Sequence, residues 1–171
     1  MSDFLESLLS GYTVFILIVL LSTAVTTASN NNTGEEQPET SIYELISMTE
    51  QLSIFHELIE TAGMTDLFHE EELTLFLPVN DAFNIISYES LDAYREDPEG
   101  LQNLLNYHVI EGKILSMDLE DGQELEMRNG ETAQITLSGA GIEFNESNVI
   151  QVDVETSNGV IHVINQVNIP E

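Results

Sequence analysis

The chain has 171 residues, 31 of them acidic and three basic, with no cysteine. A net charge of −28 repels nucleic acid and anionic membrane surfaces, and the missing cysteines exclude disulfides and thiolate metal sites. With 42% hydrophobic residues the chain can build a sizeable core, so its length reads as one domain plus a short extension.

The extension comes first. No charged residue stands between Ser7 and Gly34, and the strongest apolar run is 14–21. Residues 12–28 would reach about 25 Å as a helix, the low edge for crossing a bilayer and typical of a long signal core. Small residues at Thr26, Thr27 and Ala28 suit a signal peptidase. Residues 1–28 therefore read as a signal peptide or an N-terminal membrane anchor. Asp3 and Glu6 stand where a positive start is expected, so charge assigns no membrane orientation. Residues 29–40 carry no aliphatic or aromatic side chain and read as a flexible acidic linker. The triplets starting at Asn31 and Asn145 match the N-glycosylation pattern, which presupposes export.

A domain is expected over 41–171. Ser41 and Glu44 form a capping box for a first helix bearing Ile42, Leu45 and Ile46. Leu52, Phe55, Leu58, Ile59 and Ala62 follow at helical spacing, and Gly63 ends that helix as a left-handed cap. A short turn at 66–69 leads into a strand at 73–77, stopped by Pro78. Asn80 or Asp81 then caps a helix start, with Phe83 pointing inward. Asp97-Pro98 restarts a helix whose inner face is Leu101, Leu104, Leu105 and His108. A further short helix is expected at 116–119.

From Gln123 the pattern alternates with period two. Strands are expected at 124–128, 132–137, 142–145, 149–154 and 160–169. Asn129-Gly130 signals a hairpin, and a turn at 157–159 joins the last two strands. Helices first and a meandering antiparallel sheet last make an α+β arrangement.

Twenty-six of the 31 acids lie beyond residue 40, facing only Arg95, Lys113 and Arg128. Such self-repulsion is screened only when salt shortens the Debye length, to roughly 3 Å at about 1 M. Abundant acid with almost no lysine fits an exported protein of a halophile, the alternative being an ordinary acidic protein.

Three segments carry a family resemblance. Residues 74–83 read Thr-Leu-Phe-Leu-Pro-Val-Asn-Asp-Ala-Phe, Tyr107-His108 precedes Val109-Ile110, and residues 158–165 read Asn-Gly-Val-Ile-His-Val-Ile-Asn. In order and spacing they resemble the motifs of fasciclin-type (beta-Ig-H3/fasciclin) domains. The resemblance implies a wedge of two β-sheets with several helices packed alongside. It also implies an extracellular, often membrane-tethered module of adhesion and matrix binding. This chain departs from the pattern at Leu77, Val79 and Asn165, which replace a small residue, a threonine and a carboxylate.

The marked residues each admit two readings. Asn80 and Asp81 can meet a ligand at a helix N-terminus or simply cap that helix. Tyr107 and His108 are the family's adhesion-associated pair or a core element. His162 alternates with apolar neighbours, as a structural residue would. The four histidines lack metal-ligand spacing, and Asp118, Glu120 and Asp121 lack the calcium-loop pattern, so no cofactor or metal is expected. No catalytic motif is present. The expected function is non-catalytic binding of a cell-surface protein, matrix or polysaccharide, outside the cell. An exported accessory subunit of a membrane or envelope complex is the alternative, and an exported enzyme stands last.

Overall fold

The computed structural model describes residues 38–170. In chain order the elements are α1 (Ile42–Met48), α2 (Ser53–Ala62), α3 (Thr65–Glu70), β1 (Leu73–Pro78), α4 (Tyr88–Glu96), α5 (Pro98–Asn106), β2 (Val109–Glu111), β3 (Glu124–Glu126), β4 (Thr132–Ser138), β5 (Gly141–Phe144), β6 (Ser147–Thr156) and β7 (Gly159–Ile164). Short 3-10 turns occupy Glu50–Leu52, Asn80–Ile85 and Ser116–Asp118. Residues 1–28, most of the linker and Asn31 lie outside this range. Among the described residues no helix is long and apolar enough to cross a membrane.

Local chemistry sets most helix ends as expected. The Ser41 hydroxyl accepts from the Glu44 amide and the Glu44 carboxylate from the Ser41 amide, closing the capping box. Gly63 takes φ 67° and caps α2, its amide donating to the Glu60 carbonyl. Pro98 starts α5, although the Asp97 side chain makes no cap bond there. Three expectations are corrected. The turn at 66–69 is a full helix, α3. The segment after Pro78 is a 3-10 turn whose cap residue is Val79, so neither Asn80 nor Asp81 caps it. The α5 helix stops at Asn106, leaving Tyr107 as its cap and His108 in the turn to β2.

The strands form one hydrogen-bonded ribbon in the order β2-β1-β7-β6-β5-β4-β3. It is mixed rather than a plain antiparallel meander: β1 lies parallel to β7, with Leu73 opposite Gly159 and Pro78 opposite Ile164. A strand from the helical half is thus inserted beside the last strand. Both are buried along their whole length, as expected for a sheet interior covered on two sides.

Alternation along β1 divides the core. Leu73, Leu75 and Leu77 join Ile161 and Val163 of β7 under the helices, against Phe55, Leu58, Ile59, Leu101, Leu104 and Leu105. Phe76 turns the other way, into a second cluster with Ile135, Phe144, Leu125 and Ile164. In a flat ribbon β1 and β5 would stand roughly 14 Å apart at ~4.8 Å per strand. The Phe76 and Phe144 rings instead stack with centroids 3.9 Å apart. The ribbon therefore folds over itself, and a wedge of two layers results from a single ladder. Register breaks in β6 between Val149, Gln151 and Val154, with Asp153 at φ 56°, mark the bend.

The two ends of the ribbon meet. The Arg128 amide, just past β3, donates to the Val109 carbonyl of β2 at 2.8 Å. The Arg128 guanidinium grips both oxygens of Glu71 at 2.7 and 3.2 Å and reaches Glu111 at 3.1 Å. Arg95 similarly joins α4 to α2 through both oxygens of Glu57, at 3.0 and 3.2 Å. Lys113 pairs with Glu155 of β6. All three bases thus tie separate segments together, and the acids of the chain greatly outnumber them. We expect the urea midpoint to rise between about 10 mM and 2 M salt as repulsion among the acids is screened. Equal midpoints would show that surface charge does not limit this fold.

Candidate functional site

The residues singled out by the sequence motifs are built mainly into the wedge's interior. Asn80 shows how. Leu52 precedes α2 and offers no capping side chain. Asn80 supplies the cap from 28 residues downstream: its Oδ1 accepts from the Ile54 amide at 3.0 Å, and its Nδ2 donates to the Glu50 carbonyl and Ser53 hydroxyl, both at 3.0 Å. Its neighbour Asp81 is exposed. Phe83 is buried as expected, within the helical core.

Asn158, in the last motif, does more. Its Oδ1 accepts from the Ile42 amide at the start of α1, at 2.8 Å. Its Nδ2 donates to the Phe68 and Glu71 carbonyls at the end of α3, both at 3.0 Å. Its own carbonyl accepts from the Leu73 amide at the start of β1. One turn residue thereby satisfies orphan groups of two helices and a strand. At Gly159 a Cβ would stand 1.9 Å from the Leu73 carbonyl oxygen, so only glycine permits this approach of β7 to β1. Sequence reading found the Asn-Gly pair as a turn; its reach to Ile42 and Phe68 depends on tertiary geometry. Replacing Asn158 by Ala should cost about 2 to 3 kcal/mol, since the Ile42 amide and the Phe68 carbonyl, both on buried residues, lose their bonds. Gly159→Ala should cost at least as much, both being measurable by urea denaturation; changes below 1 kcal/mol would contradict this assignment.

His108 is fully buried. Its Nδ1–H donates to the Leu104 carbonyl at 2.9 Å, while Nε2 accepts from the Asn168 amide at 3.1 Å, which fixes a neutral ring. Asn168 in turn accepts from the Ser147 hydroxyl at 3.0 Å and donates to the Phe144 carbonyl at 3.3 Å. Tyr107 is also buried, and its hydroxyl lies between the Thr132 carbonyl and the Asn145 amide. His162 uses the opposite tautomer: Nδ1 accepts from the Asp153 amide and Nε2–H donates to the Ile114 carbonyl at 3.0 Å. Burial lowers its pKa. The motif histidines and Tyr107 thus bind the strands, the 112–119 loop and the chain after β7 to each other. None of them presents a free polar edge to solvent.

Asn145 sits at φ 53° in the β5–β6 turn. Its Oδ1 accepts from the Gln134 amide and its Nδ2 donates to Tyr107. The Ser147 hydroxyl of the same triplet is buried and hydrogen-bonded. In the folded domain this triplet therefore serves the turn. Asn165 exchanges hydrogen bonds with Asn148, its side chain accepting from the Asn148 amide at 2.9 Å. His56 and His69 flank Tyr43 at ring-centroid distances of 5.2 and 4.8 Å. Among the described residues no group of three or more metal-ligating side chains converges. Asp118 and Asp121, weighed earlier as calcium ligands, accept from the Leu115 and Leu137 amides.

The class defined by this fold is an α+β wedge module whose distinctive residues hold two layers together. The chain belongs to the fasciclin domain family, whose model matches residues 50–170. It is 32% identical over 133 residues to Protein sll1483 of Synechocystis, covering 76% of this chain and 73% of that protein. It is 30% identical to the transforming growth factor-beta-induced protein ig-h3 of Sus scrofa and to human periostin, covering 77% of this chain in each comparison. The matched region spans only 20% and 16% of those two proteins. Among solved structures, a fasciclin domain pair from the insect cell adhesion molecule fasciclin I shares the fold, with a TM-score of 0.60 at 18% identity. That match covers 78% of this chain and 52% of the other.

Burial in apolar surroundings lowers the His108 pKa to about 4, against a partly offsetting bond to the Leu104 carbonyl. The unfolded chain therefore binds the proton first as pH falls. His108 contributes its full stability above about pH 6.5 and loses it progressively toward pH 4, worth about 3 kcal/mol in all. Between pH 7 and 4.5 the wild type should lose about 2.5 kcal/mol relative to His108→Gln, which has no proton to gain. Parallel pH profiles in urea denaturation would show that His108 is not held neutral.

Proposed function

We propose that this protein is a cell-surface binding module that engages a protein or polysaccharide of the cell envelope or matrix without catalysing a reaction. Membership in the fasciclin family supports the binding role, and a structural neighbour comes from a cell adhesion molecule. The observation that carries the reading further is the internal use of Asn80, Tyr107, His108 and His162. With those polar groups committed to the fold, recognition falls to the exterior, which is acidic and bears some exposed apolar side chains. On this reading residues 1–28 export or anchor the chain, 29–40 space it from the envelope, and 41–171 form the displayed module. The charge balance further supports a high-salt habitat.

The test uses the full chain. Cells expressing it are fractionated, and the purified protein is screened at about 2 M salt against envelope proteins and polysaccharides. Display at the surface with saturable binding to an envelope component is expected. No saturable binding would overturn the module reading, whereas stoichiometric co-purification with one membrane complex would favour an accessory subunit instead.

A further inference from the structure

The β5–β6 hairpin opens into a fork. Phe144 pairs with Ser147 and Glu143 with Asn148, and there the ladder between these strands ends. Continued pairing would set Ile142 against Val149 and Gly141 against Ile150, but the strands diverge. From residue 149 onward β6 has β7 on one side and no strand of the described domain on the other. The ends β2 and β3 are different: each is short, and the Arg128–Val109 bond brings them together. The fork is the longer open edge, running from 149 until Asp153 adopts φ 56°, and its register against β7 shifts between Val149 and Gln151 and again before Val154.

Its side chains are apolar where solvent would favour polar ones. Ile150 is 46% exposed and Val152 37%. Leu137 stands opposite Ile142 on the diverging hairpin and is 36% exposed. Met117 is 83% exposed, and it follows Ser116, whose amide donates to Asp153 at 2.7 Å. Ile150 and Val152 thus lie on the open edge itself and Met117 on the loop tied to its end, while Leu137 stands one strand further out, on β4. Glu143 stands on β5, and Asp121, in the connection before β3, takes the Leu137 amide. The one lysine nearby, Lys113, is already paired with Glu155.

We propose that this fork docks an extended, cationic segment of a partner protein, which adds as a strand to the outer edge of β6 at residues 149–152. Open backbone groups would supply affinity, Ile150 and Val152 would contact alternate side chains, and the acidic surroundings would select lysine or arginine. At about 0.1 M salt, where charges are less screened, the −28 of each chain disfavours a second copy as the occupant, and the peptide comparison below is made there. The proposal rests on the binding-module reading and gives it a partner chemistry.

Three synthetic nonapeptides test it on the full chain by fluorescence anisotropy: alternating Lys-Val, alternating Lys-Pro of equal charge, and alternating Glu-Val. The Lys-Val peptide should bind at least about tenfold more tightly than either control, since proline removes strand donors and glutamate reverses the charge. Ile150→Lys and Val152→Lys, both at exposed positions, should each weaken that binding about tenfold with an unchanged melting temperature. Amide exchange should slow at residues 149–152 on binding. Equal affinity for Lys-Pro, or no effect of either variant, would overturn the fork as the site. So would dimerisation in sedimentation that Ile150→Lys abolishes, because the occupant would then be a second copy. Envelope binding that survives both variants would remove the fork while leaving the module reading intact.

Discussion

The parallel pairing of β1 with β7 is the constraint on which the remaining architecture depends. A parallel pair cannot be made by a tight hairpin, so the chain between these strands must travel far before returning. Here it lays down α4 and α5, runs through β2 to β6 and returns as β7. The close contact at Gly159 and Leu73 fixes the register of that return. Once it is fixed, alternation sends Leu75 and Ile161 to one core and Phe76 and Ile164 to the other. Both hydrophobic clusters thus descend from one pair of strands.

Polar side chains supply the complementary constraint. Helix ends carry amides and carbonyls without intrahelical partners, and those against the core need one from elsewhere in the chain. Asn80, Asn158 and Gln102 provide them from remote positions: Gln102 donates to the Ala62 carbonyl at the end of α2. A carboxamide suits this work because it donates and accepts at once and carries no charge to desolvate. In a chain so rich in carboxylates, the use of asparagine and glutamine at these junctions avoids burying more negative charge.

Much of this was legible beforehand because it is local. The capping box, the left-handed Gly63, Pro98 and the Asn129-Gly130 hairpin each act within a few residues, and the family motifs then implied the wedge. What escaped was set by distance in space. Asn80 resembles a cap for its own helix because a sequence shows only its immediate neighbours, yet it caps α2. The helix α4 passed unnoticed since Leu91 is its only buried residue, too little to set a period. The strand β1 read as part of a helical half, and nothing in its composition announces the parallel partner 86 residues later. The binding surface is least legible of all: Ile150 and Val152 read as ordinary strand residues, and their exposure follows from a ladder that stops early.

Asn158 also has a mechanical meaning. The Ser157 amide donates to the Thr40 carbonyl at 2.9 Å, next to the point where Asn158 holds the Ile42 amide. A module held by its linker and bound elsewhere receives tension at Thr40. That tension would divide between the start of α1, to which Thr40 is bonded through Ser41, and the 157–158 turn at the ends of β1 and β7. Load along paired strands must break many hydrogen bonds together, whereas load across them opens bonds one by one. On the proposed tethering through residues 29–40, the point of attachment would lie against the strand pair that the interior is built upon.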